Sequence, residues 1–261
     1  GWLPNAYAFA PAAVTALVAA TATKVGFYLI CRYEFVIFGE TLTFGTIGFD
    51  QWLVPVGIAG MIGGSLAAVF ETDLRRLLAQ SSVAQLGYMI TGIGLDNTAG
   101  ATGALVHAFN HALMKGGLFM AAGGLIAAAG SANIDDLRGF GRRMPLTSAA
   151  FVVGGLSLIG VPLTIGFVSK WYLVLGAIDA GKLLVAGAFL FASLLALIYV
   201  WRVVTRLYEP IEAQSGYAAD RRLLHIVPLG LAAVLMVLFG IWTTLPVGMA
   251  RHAAAILGVS P

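Results

Sequence analysis

The chain of 261 residues is 59% hydrophobic and only 10% charged, with a formal net charge of +3. A soluble domain of this length needs far more charge to coat its surface, so this composition belongs in a bilayer. The few basic residues gather in loops rather than in a stripe with interleaved aromatics, which argues against a nucleic-acid surface. The single cysteine, Cys31, excludes an internal disulfide and a cysteine-rich metal or iron–sulfur site.

The chain opens GWLPNAYAFAP, without a methionine or the pattern of a signal peptide, and reads as a piece of a longer one. Seven apolar stretches of about the length a helix needs to cross a ~30 Å hydrocarbon core follow. They fall at 11–33, 51–71, 79–95, 101–130, 147–177, 183–206 and 223–248. They lack alternation and are too long for barrel strands. The expectation is all-α: one polytopic transmembrane helix bundle over residues 1–261, with seven helices and a broken fifth.

The first stretch holds TALVAATATKVGFYL, in which Lys24 follows threonines and alanines that permit close helix contact. About nine residues, ~13 Å of helix, separate it from Tyr33, a long reach for a snorkelling ammonium. Trp52, at the start of the second stretch, suits the headgroup region, as do Trp201 and Trp242 further on. Asp73, Arg75 and Arg76 read as a solvated turn before the third stretch. Ser81, Ser82 and Gln85 within it read as capping and helix-contact residues.

The fourth and fifth stretches are too long for one straight crossing, which implies tilt or a break. HAFNHALMK, in the fourth, sets His107, His111 and Lys115 at i, i+4 and i+8, a single polar stripe climbing ~6 Å per step. An imidazole accepts a proton on one nitrogen and releases it from the other, and a lysine can join such a relay. A zinc pair is the competing reading of two histidines four apart. However, Ala108 stands where the zinc-protease motif has glutamate, and all twelve Asp and Glu fall in loops or near segment ends. In the fifth stretch, LSLIGVPLTIGFVSKWYLVLG, Pro162 removes a helix bond while Gly160 and Gly166 ease departure from helical geometry. A break there exposes unpaired backbone beside Lys170, an arrangement that marks ion paths in membranes.

Three of the four lysines, Lys24, Lys115 and Lys170, thus lie within spans together with both histidines of the stripe. A charge at mid-membrane costs roughly 2.5–3.5 kcal/mol on insertion scales, so such groups face the bundle interior and carry function. Arg75, Arg76, Arg138, Arg142, Arg143, Arg202, Arg206, Arg221 and Arg222 fall on one side, against Arg32, Lys182 and Arg251 on the other. The positive-inside rule makes the first side cytoplasmic, with the N-terminal residue inside and the C-terminus outside a plasma (inner) membrane.

The stretches WLPNAYAFAP, ATATKVGFYL, DLRRLLAQSSVAQLGYM, HAFNHALMKGGLFMAAG, DDLRGFGRRMP and GVPLTIGFVSKWYLVLG occur in this order over most of residues 1–177. As a set they resemble the antiporter-like membrane subunits shared by respiratory complex I, membrane-bound hydrogenases and the Mrp multisubunit cation/proton antiporters. The first stretch, the paired histidines and GFVSKWYL are most similar to the D-type subunit of the Mrp antiporters. The resemblance implies the second half of an inverted-repeat fold, a proton row along the membrane midplane and other membrane subunits as partners. It also implies protons, with sodium or potassium as counter-ion, as what is moved, and no cofactor of the chain's own. By motif, Lys24 matches the family's eighth-helix lysine, His107, His111 and Lys115 its eleventh helix, and Lys170 its broken twelfth. The family's glutamate of the fifth helix and lysine of the seventh have no counterpart in this sequence. A redox-driven pump of the complex I type is the alternative within the resemblance, and a membrane metalloenzyme centred on His107 and His111 the alternative outside it.

Overall fold

The structure, a computed structural model, describes residues 2–210, 220 and 223–259. Its regular elements are helices: α1 (Leu3–Phe9), α2 (Ala12–Cys31), α3 (Asp50–Phe70), α4 (Leu74–Ile93), α5 (Thr98–Ala129), α6 (Phe140–Arg143), α7 (Pro145–Ile159), α8 (Ile165–Asp179), α9 (Leu183–Tyr208), α10 (Leu223–Ile241) and α11 (Thr244–Leu257). α2 runs on into a π-helical turn, Arg32–Ile37, closed by Phe38 N–H on the Tyr33 carbonyl at 2.9 Å, and a second such turn spans Thr41–Thr46. Ala12–Ile37, Asp50–Phe70, Thr98–Ala129, Leu183–Tyr208 and Leu224–Ile241 are long and apolar enough to cross a membrane by length and composition. α4 and the α7–α8 pair occupy the two remaining expected stretches, so the chain is a multi-pass membrane protein.

Local sequence explains where the helices begin. Asp73 is no free turn residue: its Oδ1 accepts the Arg76 N–H at 3.0 Å and caps α4, which starts at Leu74 rather than at residue 79. Arg75 donates to the Ala8 carbonyl at 2.9 Å, fastening α1 to α4. Asn97 caps α5 by accepting the Gly100 N–H at 2.7 Å, and its amide donates to the Gly176 carbonyl at 2.8 Å, tying α5 to α8. α5 is unbroken over 32 residues, ~48 Å, more than a straight crossing uses.

Two expectations need correction. The stretch 223–248 divides into α10 and α11 at Trp242–Thr243; Pro246, which has no N–H to donate, sits in the first turn of α11, where none is needed. And not every carboxylate lies clear of the spans. The π-helical continuation of α2 carries Glu34 inside the helix Ala12–Ile37 and buries it to 4% exposure.

Buried apolar residues form two main clusters, one toward each end of the bundle. One joins Leu74, Leu77, Leu78, Leu118, Leu125 and Val203; the other joins Tyr88, Ile93, Ala104, Leu173, Ala177 and Phe189. α4, α5 and α9 each pass from one cluster to the other, and along α5 the buried His107, His111 and Lys115 fall between the residues of the two clusters. The arginines separate as the charge count requires. Arg138 and Arg206 pair with Asp135 and Glu209 at the first cluster's end, where Arg202 also donates to the Val69 and Glu71 carbonyls. Lys182 pairs with Asp50 at 3.5 Å at the other end. Arg221 and Arg222 lie outside the described residues.

Candidate functional site: a buried lysine and histidine row

The break in the fifth stretch lies at Gly160–Thr164, within the interval Gly160, Pro162 and Gly166 marked. Gly160 ends α7 with φ +93, in the left-handed region that favours glycine, and α8 restarts at Ile165. A Cβ on Gly160 would sit 2.8 Å from Lys170 Cδ, so the glycine also makes room for that lysine. The interruption frees carbonyls at the end of α7, and Lys170 collects them. Its Nζ donates to Leu158 O at 3.0 Å, to Ile159 O at 2.9 Å and to Ser193 Oγ on α9 at 2.9 Å, and lies 4.6 Å from the centre of the Tyr88 ring. Two carbonyls and a hydroxyl for its three N–H donors, with a ring face beside them, make a complete ammonium cage at 7% exposure.

Ser193 gives this cage a second state. A hydroxyl both donates and accepts. Ser193 donates to Phe189 O at 3.1 Å, shares a 3.0 Å contact with Tyr88 Oη, and accepts from Lys170. Turning its proton toward Nζ would satisfy a neutral amine in the same geometry.

His107 is fully buried on α5 and bridges two other helices: Nδ1 lies 2.8 Å from Ser169 Oγ on α8 and Nε2 2.9 Å from Gln85 Oε1 on α4. With the Gln85 carbonyl accepting, Nε2 carries the proton and Nδ1 accepts from Ser169, which can alternatively donate to the Gly166 carbonyl at 3.1 Å. Tyr88 closes the gap to Lys170, its ring 5.6 Å from that of His107. His111 lies parallel to His107, centroids 6.1 Å apart, and neither of its ring nitrogens has a hydrogen-bond partner among the described residues. Lys115 donates to Leu78 O at 2.6 Å and to Ser81 Oγ, with the Phe119 ring 5.9 Å away.

Lys24 differs from the other four. It is half-buried and bends back to the Ala19 carbonyl of its own helix at 2.6 Å. α2 sits at the bundle's edge, with Leu17, Val25 and Tyr28 exposed, so Lys24 lines an open cleft beside α5 instead of an interior niche. The expectation that all five point into the bundle therefore holds for four. Lys115, His111, His107 and Lys170 do not bond one another directly; each has its own surroundings, and these adjoin along α5 and α8.

Sequence reading misses the residues that build those niches. Gln85 and Ser81, expected as capping and helix-contact residues, make helix contacts, and their partners are His107 and Lys115 of the row; nothing in the local pattern singles out Ser169, Tyr88 or Ser193. Asn110 is missed as well: it lies on the relay's own helix and donates to the Ile165 carbonyl at 2.6 Å, holding α8's first turn beside the break. Among the described residues no three His, Cys, Asp or Glu side chains gather as a metal site.

Residues 1–196 match the family model described as the NADH:quinone oxidoreductase/Mrp antiporter transmembrane region. The chain is 42% identical over 222 residues to an N-type subunit of the NADH-quinone oxidoreductase of Desulforudis audaxviator, covering 85% of this chain and 44% of that protein. It is 31% identical over 234 residues to a D-type subunit of the Na(+)/H(+) antiporter of Alkalihalophilus pseudofirmus, covering 87% and 46%. The chain thus spans about half the length of these curated relatives. A chain in the Mrp complex from Dietzia sp. superimposes with a TM-score of 0.88 at 27% identity, over 98% of this chain and 55% of that one.

Proposed function

Because this chain belongs to the NADH:quinone oxidoreductase/Mrp antiporter transmembrane family, we propose that it is a proton-translocating segment of a multisubunit monovalent cation/proton antiporter. The observation that carries the reading is the row of two lysines and two histidines buried at mid-bundle, of which Lys170, His107 and Lys115 each sit beside a hydroxyl able to reverse its hydrogen bond. Protons pass along Lys24, Lys115, His111, His107 and Lys170, with water bridging at His111, whose nitrogens no described side chain satisfies. The broken helix gives Lys170 a seat for its charged form, and Ser193 gives it one for the neutral form. The N-terminal residue lies on the cytoplasmic side of the plasma (inner) membrane and the C-terminus outside, consistent with the arginine-rich end. Other membrane subunits complete the assembly, and sodium or potassium is the counter-ion.

A second reading has its own support. The 42% identity to an N-type subunit of an NADH-quinone oxidoreductase fits a redox-driven pump, in which the same row would be driven by a partner's electron transfer. Vesicles containing the complete assembly separate the two. An antiporter moves protons when a sodium or potassium gradient is imposed with no electron donor present. A response that requires donor and quinone and ignores the cation gradient would replace the first reading with the second.

A further inference from the structure

Glu34 is a buried acidic group that the relay leaves unused. It lies in the π-helical turn prolonging α2, at 4% exposure, and no donor among the described residues reaches either carboxylate oxygen. Its backbone carbonyl accepts from Thr43 Oγ1 at 3.0 Å, which folds the second π-helical turn against it. An ionised carboxylate buried without donors or counter-charge costs several kcal/mol, so something that arrives must balance it. A hard cation needs several oxygen ligands, whereas the buried side chains around this turn are Phe27 and Cys31 of α2, Phe35 beside Glu34, and Thr43 and Phe44 of the second turn, which offer a single hydroxyl that already donates to the Glu34 backbone carbonyl. A proton needs no ligand set.

The position gives that proton a route. Cys31, one turn before Glu34, lines a cleft of about 650 Å³ that also carries Lys24 and Tyr28 of α2, Ala108 and Phe109 of α5 and Ile256 of α11. The cleft extends from Lys24 along α2 toward the turn holding Glu34, ~15 Å away along the helix axis. The titratable or charged groups on elements packed against this turn are Lys24, Tyr28, Cys31, Arg32 and Tyr33 on its own helix, Glu40 on the following connection, and the exposed Arg251 and His252 of α11.

We propose that Glu34 is the proton-exchange group between Lys24 and the water at the end of the bundle where α2 finishes. The Lys24 ammonium gives its proton, through water in the cleft, to the Glu34 carboxylate, leaving an amine and a carboxylic acid. The acid then releases the proton to solvent and returns to carboxylate. This rests on the relay reading above.

The test uses the complete assembly in vesicles, with Glu34→Gln, Glu34→Asp, Lys24→Ala and Lys170→Ala each checked for assembly. Glutamine matches the shape of the protonated acid, so Glu34→Gln should fold normally yet lower proton flux by about 10²-fold, the lower end for a positioned proton-transfer group. Glu34→Asp should retain more flux than Glu34→Gln. In infrared difference spectra across a pH step, a carboxylic-acid C=O band should be present in the parent and absent in Glu34→Gln. Parental flux in Glu34→Gln, with Lys24→Ala and Lys170→Ala impaired, would overturn this proposal and leave the relay standing; parental flux in all of them would overturn the relay itself. A changed sodium or potassium requirement in Glu34→Gln, with the C=O band unaltered, would make Glu34 a cation ligand and likewise overturn the proposal.

Discussion

Gly166→Ala tests whether the closeness of the two half-helices is what builds the site. A Cβ at this position would collide with the Ser157 carbonyl oxygen and lie 2.7 Å from the Ser157 carbonyl carbon, backbone atoms with no rotamer to yield. Overpacking of this kind costs about 1–3 kcal/mol, and a rigid neighbour puts it at the upper end. At about 2–4 °C per kcal/mol for a body of this size, the melting temperature should fall by about 6–12 °C. The strain relaxes only if α8 moves off α7, which lengthens the 2.9–3.0 Å bonds from Lys170 to Leu158 and Ile159. Because displacement of a reacting group by 1 Å can cost about 10²-fold, proton flux should drop by at least about tenfold. Gly187→Ala is the control: in the second turn of α9 with nothing within 4 Å of an added Cβ, it should leave flux unchanged and stabilise by about 0.5–1 kcal/mol. Thermal unfolding of the purified assembly and proton flux in vesicles read both effects. A Gly166→Ala protein that melts and transports like its parent would refute the idea that this contact sets the lysine's position.

Asn97→Ala removes both the α5 cap and the tie to Gly176, and should destabilise by about 1–3 kcal/mol in thermal or denaturant unfolding. Asp96, in the loop before α5, has its carboxyl raised above the usual aspartate range by local desolvation and by the neighbouring Glu40 and Asp50. The folded state therefore binds this proton more tightly than the unfolded state, and the stability so gained is lost as pH rises through the raised value. Asp96→Asn should match the parent below about pH 4 and melt higher than it at neutral pH; equal melting temperatures at both pH values would show that the acidic neighbours do not matter there.

What the sequence discloses and what it conceals follow from range. The His107, His111 and Lys115 stripe is a local pattern, set by one helix's period, and the break at Gly160–Thr164 is local backbone chemistry; both are readable within a dozen residues. The niches are not local. Gln85 is separated from His107 by 22 positions, Ser169 by 62, and Ser193 lies 105 positions from Tyr88. Serines and glutamines are common helix-contact residues, so their meaning depends on which helices meet. Glu34 is misplaced for a different reason: hydropathy ends the first stretch at Tyr33, but the π-helical turn carries the helix on to Ile37 and turns the carboxylate inward. The half-buried setting of Lys24 is equally illegible, because it depends on α2 lying at the bundle's edge, and composition does not encode that position.

The central claim, that Lys170 must alternate between charged and neutral forms, is tested most directly by proton flux through the complete assembly in vesicles with Lys170→Arg and Lys170→Ala, after both are shown to assemble. Arginine keeps its proton at any relevant pH, and alanine cannot carry one. The account predicts strong impairment in both variants. Near-parental flux in Lys170→Arg would show that a fixed positive charge under the broken helix suffices, and near-parental flux in Lys170→Ala would remove Lys170 from the path.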